Sequence, residues 1–211
     1  GMRGLKPHAT VSDLPHGATL ATSSTRRQAQ LWALRADLKV VPIRGNVGTR
    51  LRKLAENAQL DGLVLAAAGL NRLRFAISPG GQISGGDTAH SPGGVPPGLQ
   101  ATFLSPEEML PCVGQGAIGI ETRSGDERVA ALCGRLNDTA TFQCVTAERA
   151  FLHAMGGGCL SPVAAYAELD GDQMRLRAVS FRTKNVRRGE MRGAATDATV
   201  LGERLAAELN G

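Results

Sequence analysis

The chain has 211 residues, 42% hydrophobic and 20% charged, which is ordinary for a globular protein that buries one sizeable core or two small ones. Its net charge of +5 at pH 7 indicates an anionic partner, yet no Lys/Arg-rich tract of the nucleic-acid-binding type is present. No stretch approaches the roughly 18 to 20 apolar residues needed to cross a bilayer. We therefore expect a site for a small anion, with neither nucleic acid nor a membrane as partner.

The cysteines argue against a metal site. There are four, at Cys112, Cys133, Cys144 and Cys159. They show no CxxC pairing and, even with His153 nearby, do not match structural zinc spacing. The start carries no signal or transit pattern, so we expect a cytoplasmic protein with reduced thiols, and Gly1 before Met2 reads as an expression remnant.

The first part of the chain repeats one plan three times: a short apolar run, a tight polar loop and an amphipathic helical stretch. The apolar runs are residues 19–22, 39–43 and 62–66. This βαβ pattern predicts parallel strands with covering helices.

A Gly/Pro-rich stretch and an apolar run follow. Eleven of the twenty-one residues at 78–98 are Gly or Pro, which predicts a mobile loop. Farther on, the glycine-containing residues 113–116 lead into the apolar run 117–120, which predicts a strand that must join a sheet.

The last part of the chain has a different pattern. We predict a helix at about 140–155, strands at 163–169 and 174–181, a third strand near 189–193, and a closing helix at 197–209. These elements predict a separate α+β unit with a three-stranded antiparallel sheet, which begins after a boundary near 124–138.

Hydroxyl groups and guanidiniums follow the three predicted parallel strands. In open α/β sheets, ligands bind beyond the carboxyl ends of the strands, where arginines can hold carboxylates bidentately. The candidates are Ser23, Ser24, Arg26, Arg27, Arg44, Gly45, Asn46, Arg50 and Arg72. Any one of these arginines taken alone is better explained as a solvated charge on a helix face, but five at one edge favour a site.

Cys159 follows three glycines, so its thiol could project from an exposed turn and be modified. The alternative is a glycine helix cap followed by an incidental cysteine.

Five segments give the chain a specific resemblance. They are TSSTRRQ at 22–28, RGNVGTR at 44–50, VGQG at 113–116, TAERA at 146–150 and GGC at 157–159. In this order they resemble the hydroxymethylbilane synthase (porphobilinogen deaminase) family. The resemblance covers the family's C-terminal two thirds and implies three regions. These are a periplasmic-binding-protein-like α/β domain at 1–104, a return segment and linker at 105–136, and a C-terminal α+β domain at 137–211.

The resemblance also implies residue roles. Cys159 would form a thioether to the dipyrromethane cofactor. The cofactor's carboxylates would be bound by Ser23, Ser24, Arg26, Arg27, Arg44, Gly45, Asn46 and Arg50. Arg72 and Gln115 would contact substrate. The family is a transferase of porphyrin and heme biosynthesis, which joins four porphobilinogen units into hydroxymethylbilane and releases ammonia.

The family's catalytic aspartate lies in a segment that we expect this chain to lack. Neither Asp13 nor Asp61 falls in the catalytic motif, so we name no catalytic residue. We expect the chain alone to be inactive, with Cys159 unloaded, and the alternative is a non-catalytic remnant that binds polycarboxylates. We further expect Val113, Ile118 and Ile120 to be exposed, and the segment 110–123 to pair in a homodimer or with a complementing N-terminal chain.

Overall fold

The chain divides into two units, residues 1–109 and 110–211. Three short parallel strands form the centre of the first unit. The computed structural model describes residues 9–86, 94–158 and 161–211. Strand β1 (Thr19–Ala21) lies between β2 (Lys39–Val41) and β3 (Gly62–Leu63) and runs parallel to both. The predicted parallel sheet is confirmed.

Helices α1 (Thr25–Leu34), α2 (Val47–Glu56) and α3 (Ala67–Arg72) each follow one of these strands. Ser24 and Asn46 begin α1 and α2, because their side chains accept backbone N–H groups of the first turn. The apolar face of α2 is buried through Leu51 and Leu54, which pack in one core with Ala21 of β1. The helices therefore cover the sheet, as the periodicity predicts.

A β-hairpin follows α3, with strand β4 (Phe75–Ile77) antiparallel to β5 (Ile83–Gly85). The loop prediction for 78–98 is therefore wrong at β5. Gly85 adopts φ +76°, and a Cβ there would lie 2.5 Å from the Arg74 carbonyl oxygen, so this glycine serves a close backbone approach. Residues 87–93 of the predicted loop lie outside the described residues, and its mobility stays a prediction.

Residues 118–123, close to the start of the second unit, are exposed. Residues 117–123 form no strand, and Ile118 and Ile120 are 78% and 55% exposed. The predicted strand at 117–120 is wrong, because apolar residues become a strand only where another strand pairs with their backbone. The exposure expected for Val113 is also wrong, since it is half-buried against the core of this unit. A helix that the sequence did not predict, α4 (Glu127–Gly134), follows with no buried residue.

The rest of the second unit matches the prediction closely. Helix α5 (Thr139–Ala154) leads to the antiparallel strands β6 (Val163–Asp170), β7 (Gln173–Ser180) and β8 (Arg187–Ala194). Helix α6 (Ala198–Asn210) follows a short 3-10 turn and packs with α5 against the sheet. Side chains alternate between the two faces of β7, and Met174, Leu176 and Ala178 lie on the face that packs in this core.

Glycines set how closely the layers of this unit approach. A Cβ on Gly202 of α6 would lie 2.3 Å from the Ala147 carbonyl oxygen of α5, so the two helix backbones nearly touch. On β8, a Cβ at Gly193 would lie 2.8 Å from Leu201 of α6. Side chains at these glycines would push α6 away from its neighbours. No helix among the described residues is long and apolar enough to cross a membrane.

Candidate functional site

The loops that follow β1, β2 and β3 lie side by side at the carboxyl edge of the parallel sheet. The Ser23 hydroxyl donates to the Ile43 carbonyl oxygen at 2.7 Å and accepts from the Ile43 N–H at 2.9 Å. Arg27 reaches the loop after β3, where Nη1 donates to the Val64 carbonyl oxygen at 3.0 Å. The sequence-predicted loops are thus brought together by the candidate residues themselves.

Two helix N-termini also point to this edge. Ser24 Oγ accepts from the Arg27 N–H at 3.4 Å, and Asn46 Oδ1 accepts from the Thr49 N–H at 2.8 Å. Neither α1 nor α2 has an acidic residue in its first turn. No carboxylate in the first turn of either helix therefore neutralises the positive end of its dipole. Both helix N-termini thus favour the binding of an anion at this edge.

Arg26 is the least expected group at this edge. It is buried, with 7% exposed, and its Nε has no hydrogen-bond partner. Within residues 9–86 and 94–109, no carboxylate forms an ion pair with it. A buried cation in the first turn of a helix is unfavourable unless an anion balances it. The surroundings of Arg26 are thus suited to an anionic ligand.

Two carboxylates of this unit, Asp37 and Asp61, lie at the opposite edge of the sheet. Asp37 accepts from the Gly17 N–H at 2.8 Å, and Asp61 accepts from the Thr19 N–H at 2.7 Å. Arg35 lies 2.6 Å from Asp37 and, with the Gly17 N–H, holds the pKa of that carboxyl well below its ordinary value. Asp13 caps the short 3-10 turn at Val11–Asp13, and bonds from Thr10 lower its pKa. Asp13 and Asp61 therefore have structural roles.

The other predicted residues of the first unit differ in how they are held. Arg50 Nε donates to the Gly45 carbonyl oxygen at 2.7 Å. Gly45 adopts φ +120°, and a Cβ there would lie 2.7 Å from Thr49 Cγ2, so the loop requires glycine. Arg44 is exposed beside it. Arg72 is the last residue of α3, is exposed, and is not joined to the other loops by any hydrogen bond among the described residues.

In the second unit, the predicted cofactor residue Cys159 lies outside the described residues, with Leu160. The C-terminal cap of helix α5 includes Gly156, three residues before this position. Gly156 adopts φ +62°, its N–H donates to the His153 carbonyl oxygen, and the Gly157 N–H donates to the Leu152 carbonyl oxygen. This pattern is a Schellman cap, so Gly156 has the capping role that the sequence left open as an alternative.

Gln115 is exposed on the turn at residues 112–117. Sequence reasoning missed the residue that holds this turn, Glu148 of α5. Its Oε2 accepts from the Gly114 N–H at 2.6 Å, and its Oε1 accepts from the Ala167 N–H at 2.9 Å. Burial raises the pKa of Glu148 in spite of these two bonds. Glu148 lies in the TAERA segment, whose similarity to the family was the only signal.

The three cysteines in the described ranges are free thiols at Cys112, Cys133 and Cys144. Burial raises the pKa of Cys144, which disfavours its thiolate. In the described ranges, no group of three or more His, Cys, Asp or Glu side chains could hold a metal ion.

Comparison with known proteins gives two family matches and close relatives. The model for the porphobilinogen deaminase dipyromethane cofactor binding domain matches residues 5–131, and the model for the porphobilinogen deaminase C-terminal domain matches 142–211. The chain is 46% identical over 205 residues to a porphobilinogen deaminase of Roseiflexus sp. (strain RS-1). It is 44% identical over 208 residues to that of Roseiflexus castenholzii. Each alignment covers 97% of this chain and 60% of the relative, so the chain spans about 60% of the length of these curated relatives.

Proposed function

This chain belongs to the porphobilinogen deaminase family, and we propose that it serves the family's reaction, the assembly of hydroxymethylbilane from four porphobilinogen units with loss of ammonia. The observation that carries this proposal is the buried Arg26 at the start of α1, which forms no ion pair with any carboxylate among the residues that the structure describes. Transferase activity, substrate and place in tetrapyrrole biosynthesis are all part of the proposal. No observation favours a non-catalytic remnant, and a cytoplasmic location stays a prediction.

The chemistry of the ligand supports this role for the first unit. Each pyrrole unit carries two carboxylates, so a growing chain presents a series of anions. Guanidiniums bind carboxylates through paired N–H donors, and helix N-termini add backbone N–H groups and a favourable dipole. We propose that the edge formed by Arg26, Arg27, Arg44 and Arg50 binds carboxylates of the dipyrromethane cofactor.

Ser23, Ser24 and Asn46 would serve that edge differently. The hydroxyl hydrogen of Ser23 is donated to Ile43, while Ser24 and Asn46 cap their helices. We propose that these three residues fix the loops and that Gly45 lets its loop turn, while the arginines and backbone N–H groups contact the ligand. Arg72 and Gln115 remain proposed substrate contacts.

A binding measurement tests the first unit. Porphobilinogen titrated into the chain by calorimetry should bind, and Arg26→Gln should weaken binding about ten- to hundredfold, the loss typical of a charge-assisted hydrogen bond. The matched control is Arg52→Gln, which removes the same charge at an exposed position on α2. Equal affinities for the wild type and both variants would contradict the proposal.

Because the model of the dipyromethane cofactor binding domain matches residues 5–131, we propose, against the expectation of an unloaded thiol, that Cys159 carries the cofactor as a thioether. The intact mass of the purified protein should exceed the 22.0 kDa of the bare chain by one dipyrromethane. Cys159→Ala should remove this increase, while Cys133→Ala should retain it. An increase that survives in Cys159→Ala would assign the attachment elsewhere, and an unmodified wild type would contradict loading of this chain.

We also propose a plan for the first unit and a partner for the segment 110–123. The strand order β2-β1-β3, with a helix after each strand, supports a periplasmic-binding-protein-like plan for the first unit. The exposure of Ile118 and Ile120 supports pairing of the segment 110–123 with a complementing chain, because exposed apolar side chains next to each other are typical of a surface that another polypeptide covers. Light scattering of the chain alone should then give a monomer, whereas a dimer that Ile118→Ser dissociates would favour pairing between copies.

A further inference from the structure

Arg74, directly after helix α3 and its cap Leu73, is the only residue other than glycine with a positive φ in the ranges that the structure describes. Its φ is +59°, and its N–H donates to the Asn71 carbonyl oxygen at 2.9 Å. Helices usually end on glycine at this position, because a side chain at positive φ costs free energy that glycine avoids. An arginine here therefore needs a reason other than the turn.

The β4–β5 hairpin fixes this backbone conformation. The Gly86 N–H donates to the Arg74 carbonyl oxygen at 3.1 Å, and a Cβ on Gly85 would lie 2.5 Å from the same oxygen. A Cβ on Gly86 would lie 2.7 Å from the ring of Phe75, which is buried. The strained conformation persists because the hydrogen bonds on both sides of Arg74 determine it, and residues held in this way are concentrated at binding and active sites.

The Arg74 side chain is exposed and forms no ion pair with a carboxylate of the described residues. Residues 62–86 contain no Asp or Glu, and their charged side chains are those of Arg72 and Arg74. The two Cα atoms lie at most about 7 Å apart, because one residue separates them. Within the described part of the chain, the end of α3 therefore carries two neighbouring guanidiniums that no carboxylate of the protein balances.

We propose that Arg74 binds substrate, with its guanidinium on one carboxylate of a pyrrole unit and Arg72 on the other. This inference rests on the proposed function, in which Arg72 contacts substrate. Each pyrrole unit carries two carboxylates, and a guanidinium binds one of them through paired N–H donors. A glycine at position 74 would keep the turn without strain but would lose this contact, so the binding role explains why the residue is an arginine.

Two substitutions separate the backbone of Arg74 from its side chain. Arg74→Gly removes the strain, so the equilibrium constant for folding without ligand should rise about two- to fivefold, after allowance for the greater freedom of glycine in the unfolded chain. Arg74→Gln keeps the strained backbone and should leave this constant almost unaltered. Urea unfolding measures both. A folding constant that falls in Arg74→Gly would overturn the inference, because the arginine would then stabilise the turn itself.

Calorimetry with porphobilinogen tests the contact. Arg74→Gly and Arg74→Gln should weaken binding by a similar factor, about three- to tenfold, since an exposed charge-assisted contact contributes less than a buried one. Arg74→Lys keeps a cation and should weaken binding less. Arg52→Gln, an exposed change on α2, should bind as the wild type does. Wild-type affinity in Arg74→Gly and Arg74→Gln would overturn the inference and leave the proposed function intact. A wild-type chain that binds no porphobilinogen would overturn both, whereas the urea result would still report on the strain.

Discussion

Arg26 in the first unit and Arg177 in the second are almost equally buried, at 7% and 8% exposed, yet their charges are balanced in different ways. Arg177 lies 3.1 Å from Glu168 and over the ring of Tyr166, with 5.5 Å between the guanidinium carbon and the ring centroid. Arg175 pairs with Glu168 and Glu190 on the same sheet. Arg26 has no such partner in the described part of the chain. A buried arginine therefore indicates an anion site only where the protein supplies no carboxylate.

The largest expected change in stability comes from replacing Arg177, the buried arginine that pairs with Glu168. Arg177→Met should lower the free energy of unfolding by about 2 kcal/mol, below the range for a fully buried pair because Glu168 is 39% exposed and can be rehydrated. Urea unfolding followed by circular dichroism measures this loss. Arg192→Met is the control, since that arginine is 68% exposed and should contribute only a few tenths of a kcal/mol. Equal losses in the two variants would remove the distinction between paired and exposed arginines.

The same substitution at Arg26 should change the free energy of unfolding in the opposite direction. Arg26→Met keeps most of the buried side-chain volume but removes a positive charge from the first turn of α1, so the unfolding free energy without ligand should rise by about 0.5 kcal/mol. The measurement is again urea unfolding. A loss of 2 kcal/mol or more would mean that the chain already balances Arg26, and the comparison with Arg177 would fail.

The smallest effect is a pH dependence at the paired sheet. Hydrogen bonds from Arg175 lower the pKa of Glu190 below its ordinary value of 4.5. The stabilisation by Glu190 is therefore complete above pH 4.5 and disappears as the pH falls through the lowered pKa of the folded state. Because Glu190 is 37% exposed, we expect a few tenths of a kcal/mol. The difference in unfolding free energy between wild type and Glu190→Gln should shrink between pH 6 and pH 3, and a constant difference would contradict the ion pair.

The spacing of apolar residues predicted most of the helices, because a helix forms its hydrogen bonds within one stretch of sequence. Apolar spacing such as that of Leu51 and Leu54 sufficed to predict the helices after the strands, whereas the capping roles of Ser24 and Asn46 emerged only from the structure. The strand at 117–120 failed because a strand depends on a neighbour that no local pattern reveals. The hairpin at 75–85 was missed because Gly85 reads as loop composition, although its positive φ serves a close approach within the hairpin.

The candidate site was predicted as a set of residue types, but their separate roles were not. Ser23 looks like a ligand hydroxyl in the sequence, yet its hydrogen is donated to Ile43. The difference between Arg26 and Arg177 depends on which carboxylates the fold brings near each guanidinium. Glu168 reaches Arg175 and Arg177 only through the antiparallel register of β6 and β7. Such partners are separated in the sequence, so composition cannot reveal them.

Within the second unit, the residues before the exposed stretch 118–137 and the residues after it are joined by non-covalent contacts as well as by the chain itself. Leu110 is buried with Ala164 and Val179, Val113 packs against the core, and Gly114 donates to Glu148. A protease that cuts the exposed residues around α4 would therefore leave a nicked molecule whose two fragments remain associated. The C-terminal fragment would keep its sheet and helices and retain the other fragment by its last few residues, so the exposed stretch is a natural position at which to divide this protein into two polypeptides expressed separately.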